Sequence, residues 1–249
     1  MHKILLILFF LFGIQIYSQE NAFIELDTYL SDYKNFDFKK FKNHEFENLT
    51  FEVNTIEGDS VAQREIDWKI TETIYALEVS YRQDNSFKYK FLALRTFAQN
   101  GDIFLIIYHN DMFDGEDSNP KYFGRDEKIN SILKAHNDFY KSNLTVKEMI
   151  NQISEDELYS CDENNSSEKI PSHNGYEFIK SNIDEFRNWT QSFNPELQTS
   201  GIHALEYLQK KNNVKLIEQD KKIIKHIKTR NSLLNSCSGC LIIYRKAFD

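Results

Sequence analysis

The chain has 249 residues, of which 41% are hydrophobic and 14% aromatic, so it should fold as a globular protein rather than remain disordered. Its formal net charge is −8, and an acidic protein repels phosphate backbones, which argues against nucleic acid as a partner. The acidic excess lies in the first half, where residues 19–124 carry 11 Lys and Arg against 20 Asp and Glu.

The first twenty residues have the order of a secretory signal peptide. Lys3 gives a positively charged start, Ile4 to Ile16 run apolar, and polar residues begin at Tyr17. The apolar run has about thirteen residues, whereas a helix needs roughly 20 to cross a bilayer, so a retained anchor is the less favoured alternative. We predict cleavage near Ser18, a mature chain of residues 19–249, and no transmembrane segment after signal removal.

The composition around this junction points to one type of source. The Tyr-Ser-Gln-Glu sequence at residues 17–20, with many Lys, Asn, Ile and Phe and few Gly and Pro, resembles exported proteins of Bacteroidetes-type bacteria. The resemblance implies that the mature chain is periplasmic or secreted.

Residues 49–108 alternate between apolar and polar positions, and this period of two predicts an antiparallel β-meander. A short helix precedes it, at Phe23, Leu26, Tyr29 and Leu30. The alternating runs are Leu49, Phe51 and Val53; Ile66, Trp68 and Ile70; Tyr75, Leu77, Val79 and Tyr81; and Phe87, Tyr89, Phe91 and Ala93. Asp84-Asn85-Ser86 and Gln99-Asn100-Gly101 are typical of turns between strands. Ile103 to Tyr108 is apolar on both faces, which indicates a central or helix-covered strand.

From about residue 125 to 235 the apolar period becomes helical. Two stripes have this spacing: Ile129, Ile132, Leu133, His136, Phe139 and Tyr140, and later Tyr176, Ile179, Ile183 and Phe186. Thr145 with Glu148 predicts a capping box, and Asn194-Pro195 predicts another helix start. A basic amphipathic helix is predicted over Leu216 to Leu234, followed by a strand at Leu241 to Tyr244. Strands followed by helices predict an α+β fold in one exported domain, with a possible sub-division near residues 161–175.

The sharpest local motif is Gly201-Ile202-His203-Ala204-Leu205-Glu206-Tyr207-Leu208. His203 and Glu206 lie at i and i+3 of a predicted helix, so both side chains can reach one divalent metal ion. The motif resembles GxHxxE of the imelysin-like proteins, exported helical proteins linked to metal handling and proposed as peptidases. The resemblance covers eight of the 249 residues, and that family is all-helical where residues 49–108 predict strands. A solvated helix face is the alternative interpretation of His203 and Glu206. His136 lies on the apolar stripe of its own helix, which favours a core histidine over a metal ligand.

Three cysteines enter the mature chain: Cys161, Cys237 and Cys240. Export favours a disulfide, and an odd count leaves one thiol over. Joining Cys161 to either C-terminal cysteine closes a loop of about 75 to 80 residues, which the chain-entropy model values at roughly 4 kcal/mol. A bridge within Cys237–Cys240 closes a far smaller loop. We therefore predict one long-range structural disulfide from Cys161, in preference to a redox centre or half of a zinc site.

Two functions of different class remain after these arguments. The first is a non-enzymatic exported protein that binds a protein partner in the envelope, since the chain contains none of the common catalytic motifs. The second is a metal-binding protein or metal-assisted hydrolase that uses His203 and Glu206. The second function depends on the motif at residues 201–208, whereas the first does not.

Overall fold

A computed structural model of the chain describes residues 23–47, 49–53, 62–83, 86–110, 119–155, 157, 159, 161–162, 183–211, 214–238 and 241–248. The chain divides into two compact units: residues 1–62 with 73–125 (unit 1), and residues 63–72 with 126–249 (unit 2). The predicted α+β fold is confirmed, with an antiparallel sheet in the first half and mostly helices in the second.

The first sheet has six strands: β1 (Leu49–Val53), β2 (Ala62–Ile66), β3 (Ile70–Gln83), β4 (Ser86–Gln99), β5 (Asp102–Asn110) and β6 (Lys121–Gly124). Their order is β1-β3-β4-β5-β6, and β2 pairs with β3. The predicted turn between β4 and β5 is present, with positive φ at Asn100 (56°) and Gly101 (89°). Two successive positive φ values suit the twist of a tight hairpin, which is why an Asn-Gly pair stands there.

The core of unit 1 lies between one face of this sheet and two short helices. Helix α1 spans residues 23–31, and α2 (Phe38–Lys42) begins after Asp37, whose side chain caps the backbone N–H of Lys40. The buried side chains are Leu26, Leu30, Phe38, Phe41, Leu49, Leu77, Val79, Tyr81, Leu92, Leu94, Ile106 and Tyr108. Strand β5 is central, as its sequence predicts, and Phe104 to Tyr108 are buried on both faces.

Unit 2 contains five helices within the described ranges: α3 (Asp126–Tyr140), α4 (Val146–Ser154), α5 (Ile183–Thr190), α6 (Pro195–Lys210) and α7 (Glu218–Arg230). The capping box of Thr145 and Glu148 opens α4, and Asn194 caps α6 with Pro195 in its first turn, as predicted. A second sheet has the order β7 (Cys161–Asp162), β8 (Leu233–Ser238) and β9 (Leu241–Lys246). No helix in the described part of the chain has the length and apolar character needed to cross a bilayer.

Two predicted elements are wrong in their extent. Ile66, Trp68 and Ile70 do not form one strand, because Asp67–Lys69 is a 3-10 turn in which Trp68 (64°) and Lys69 (57°) have positive φ. The basic helix ends at Arg230 rather than Leu234, because Asn231 adopts the left-handed conformation. The predicted signal peptide, the turn at residues 84–85 and the segment at 163–175 lie outside the described residues, as do Tyr176 and Ile179 of the second predicted helical stripe.

Helices α5 and α6 approach closely at Gly201, the first residue of the GxHxxE motif. A Cβ atom at this position would lie 2.7 Å from the backbone oxygen of Phe186 and 2.8 Å from Cγ2 of Thr190. Backbone atoms cannot yield as a flexible side chain would, so the glycine has a packing role here.

We expect Gly201→Ala to lower the free energy of unfolding by about 1–3 kcal/mol, because the added methyl group forces α5 away from α6. In an open helix the same change would raise stability by about 1 kcal/mol. Urea unfolding of the variant measures the sign. Ser200→Ala, the neighbouring change on α6, is the matched control and should stay within about 0.5 kcal/mol. A stability gain in Gly201→Ala would contradict the close packing.

Candidate functional site

The most elaborate polar arrangement in unit 2 begins at Asp67, in the turn between β2 and β3. A turn residue is usually solvated, yet Asp67 is only 4% exposed. The positive φ values of Trp68 and Lys69 reverse the chain within three residues. The carboxylate of Asp67 therefore lies among the helices of unit 2, where it needs partners in place of water.

Four side chains from three helices supply those partners. Tyr140 of α3 donates its hydroxyl to Oδ2 of Asp67 at 2.7 Å, and Gln198 of α6 donates to the same oxygen at 3.4 Å. On α7, Nε2 of His226 contacts Oδ1 at 2.9 Å, and Arg230 donates to Oδ1 through Nη1. Both carboxylate oxygens are therefore engaged, and we call these five residues the Asp67 network.

The network keeps Asp67 ionised in spite of its burial. Burial alone would raise the pKa of Asp67, but the charge of Arg230 and the hydrogen bonds from His226 and Tyr140 hold that pKa well below its usual range. Burial and the neighbouring Asp67 charge raise the pKa of Tyr140 above its ordinary value. Tyr140 therefore remains a neutral phenol and a hydrogen-bond donor.

His136 lies beside the network as a neutral core histidine. Its ring is fully buried, stacks on Phe193 with centroids 3.7 Å apart, and donates from Nε2 to the backbone oxygen of Gln191 at 2.8 Å. Nδ1 is 3.9 Å from Oδ2 of Asp67. Burial lowers the pKa of His136 to about 4, so the imidazole is uncharged at neutral pH. The structural role predicted for His136 is confirmed.

Arg64 forms a second buried ionic cluster in unit 2. Its Nε lies 2.6 Å from Oε2 of Glu72, and its Nη1 donates to Oε1 of Glu196, all three side chains being almost fully buried. Glu196 also accepts the backbone N–H of Asn235 at 2.6 Å. Burial alone would lower the pKa of Arg64, but the charges of Glu196 and Glu72 raise it above its ordinary value. These contacts join β2, β3, α6 and β8.

The Asp67 network can orient an imidazole, which is one requirement of a general base. The side chain of His226 is 29% exposed, and its ring stacks on Trp68 at 5.7 Å. Arg230 shares Oδ1 of Asp67 with His226, however, and the carboxylate serves as counter-ion to the guanidinium. The arrangement is therefore accounted for by charge neutralisation and helix positioning.

The structure gives His203 and Glu206 of the predicted metal site, both on α6, different direct partners. The His203 ring stacks between Tyr159 (5.8 Å) and Phe248 (5.4 Å). Both carboxylate oxygens of Glu206 accept from Nζ of Lys228 at 2.7 Å. Within the described residues, no three His, Cys, Asp or Glu side chains are grouped so as to hold a metal ion. The metal site stays a prediction.

Unit 1 carries an exposed aromatic strip on β4, defined by Tyr89 (62% exposed) and Phe91 (39% exposed). The next residues with the opposite orientation, Leu92 and Leu94, belong to the core. Within the described residues, the ladder between β4 and β5 begins at the pair of Leu92 with Asn110, so no described residue of β5 pairs with the strip. Alternation in the sequence marks Tyr89 and Phe91 as one face of a strand, but it does not tell which face is covered.

Comparisons of the chain with protein-family models, with curated proteins and with solved structures found no match. The imelysin-like resemblance therefore rests on residues 201–208 alone. In that segment Gly201 has a packing role, and Glu206 forms an ion pair with Lys228.

The lowered pKa of His136 predicts that the protein loses stability in mild acid. Unfolding returns its pKa from about 4 to its ordinary 6.5, so the unfolded chain binds more protons between these values. Above pH 6.5 this difference leaves stability unchanged. As the pH falls below that value, the free energy of unfolding decreases, by roughly 2 kcal/mol at pH 5 and 3 kcal/mol at pH 4. The depressed pKa of Asp67 acts in the same direction only at lower pH.

Urea unfolding of wild type and His136→Gln between pH 7.5 and 4.5 measures this effect. The glutamine amide can still donate a hydrogen bond, but it does not titrate. We expect the variant to be less stable at pH 7.5 and to show a shallower loss of stability with acid. His44→Gln, at an exposed histidine of unit 1, is the control. Parallel pH profiles for wild type and His136→Gln would contradict the prediction.

Proposed function

We propose that the chain is an exported protein that binds a protein partner in the bacterial envelope through the aromatic strip of β4. The observation that carries this proposal is the exposure of Tyr89 and Phe91 on one face of a regular strand. Aromatic side chains are enriched at protein interfaces, because they bury a large area at low cost in conformational entropy.

The position of the strip supports contact with a partner. Strand β4 holds the strip rigidly, because its later residues Leu92 and Leu94 are anchored in the core of unit 1. Two exposed rings at i and i+2 project from the same face about 7 Å apart, a spacing that suits two adjacent pockets on a partner.

Export rests on the order of the N-terminal residues: the charge of Lys3, the apolar run from Ile4 to Ile16, and the polar segment from Tyr17. N-terminal sequencing of protein recovered from the envelope of the source bacterium tests it independently of binding. A chain that begins near Gln19 is expected, and an intact Met1 on a membrane-bound form would contradict export.

Metal binding through His203 and Glu206 is the alternative proposal. A metal ion on Glu206 would have to displace Lys228 from both carboxylate oxygens, which the ion pair opposes. Metal analysis of purified wild type and His203→Ala distinguishes the two functions. Bound metal that disappears in His203→Ala would favour the alternative.

The binding proposal predicts that Tyr89→Ala/Phe91→Ala reduces partner capture at least tenfold, because each aromatic anchor is worth more than 1 kcal/mol at a typical interface. The immobilised variant and wild type are exposed to envelope and culture-medium proteins, and the retained proteins are compared by quantitative mass spectrometry. A protein retained by wild type and lost with the variant is the expected result.

Ile24→Ala is the matched control, since Ile24 is a 54% exposed apolar residue on α1 of the same unit. It should capture the partner as wild type does, and circular dichroism should show that all three chains are folded. Equal capture by wild type and the double variant would contradict the assignment of the interface to β4.

A further inference from the structure

The parallel pairing of β7 with β8 brings two of the three cysteines together. Cys161 is the register partner of Cys237, and Asp162 is the partner of Ser238. In the sequence these cysteines are far apart, and the choice between Cys237 and Cys240 as partner of Cys161 is open.

Buried contacts just before the strand fix this register. The backbone N–H of Tyr159 donates to the oxygen of Asn235 at 2.7 Å, and the hydroxyl of Ser236 donates to the oxygen of Tyr159 at 2.6 Å. Tyr159 and Ser236 are both almost fully buried. A slip by one residue would break both hydrogen bonds, so the pairing of Cys161 with Cys237 is well determined.

Register partners on neighbouring strands meet the backbone requirement of a disulfide. Adjacent strands lie about 4.8 Å apart, within the roughly 4.4–6.8 Å separation of Cα atoms across disulfides. Register partners also occupy the same face of a sheet. Cys240, three residues after Cys237 in the sequence, lies outside the described residues.

We propose that Cys161 and Cys237 form the structural disulfide of the mature protein and that Cys240 keeps a free thiol. The proposal rests on the proposed export for its oxidising environment. Two thiols give one disulfide by exchange with a disulfide oxidant, which takes up the two electrons and two protons and becomes two thiols. The bond ties the two-residue strand β7 to β8 and thereby closes the chain from residue 161 to 237.

Peptide mapping under non-reducing conditions tests the pairing. The full chain is produced by an exporting bacterium, and also in a reducing cytosol with later oxidation by glutathione disulfide. Free thiols are blocked with an alkylating reagent before digestion. We expect one Cys161–Cys237 peptide and alkylated Cys240 from both preparations, and the same bridge in Cys240→Ser with no alkylated cysteine. The bridged chain should unfold at a higher temperature than the same chain after reduction.

Three results would overturn the proposal: a Cys161–Cys240 peptide with alkylated Cys237, a Cys237–Cys240 peptide with alkylated Cys161, or three alkylated cysteines after oxidation by glutathione disulfide. The in vitro preparation separates this proposal from export. A bridge that forms with glutathione disulfide but is missing from the bacterial preparation would place the chain in a reducing compartment and contradict export, while leaving the pairing intact.

Discussion

A buried carboxylate in a turn needs donors from the rest of the fold, and in unit 2 this requirement positions three helices around Asp67. Helix α3 supplies Tyr140, α6 supplies Gln198, and α7 supplies both His226 and Arg230. Breaking a buried ion pair leaves an uncompensated charge, which costs about 3–5 kcal/mol. The helices therefore cannot shift independently, and the turn between β2 and β3 is held in its strained conformation by the partners of Asp67.

The local features of the fold were predictable from the sequence because their physical causes are local. The capping box at Thr145 and Glu148, the cap at Asn194 and the turn at Asn100-Gly101 each involve residues within a few positions of one another. The alternation that predicts β4 also needs only neighbouring residues. Which face of β4 is covered depends on α1 and α2, and so the exposure of Tyr89 and Phe91 was not visible in the sequence.

The Asp67 network could not be predicted, because its members lie far apart in the sequence. Asp67 and Arg230 are 163 positions apart, and Asp67 and Tyr140 are 73 apart, so no motif joins them. Trp68 continues the apolar alternation of Ile66 and Ile70, so the sequence predicts a strand where the structure has a turn. His203 and Glu206, by contrast, form a recognisable motif because they are three positions apart in the sequence. Their contacts are nevertheless made by distant residues such as Lys228 and Phe248.

The central claim is that the Asp67 and Arg230 charges stabilise unit 2 as a pair, and a double-mutant cycle tests it most directly. Urea unfolding is measured for wild type, Asp67→Asn, Arg230→Met and the double variant. Each single change should cost about 3–5 kcal/mol, and the double variant should cost at least about 1 kcal/mol less than their sum, because it leaves no unpaired charge. Single changes that cost less than about 0.5 kcal/mol and add without coupling would contradict this account.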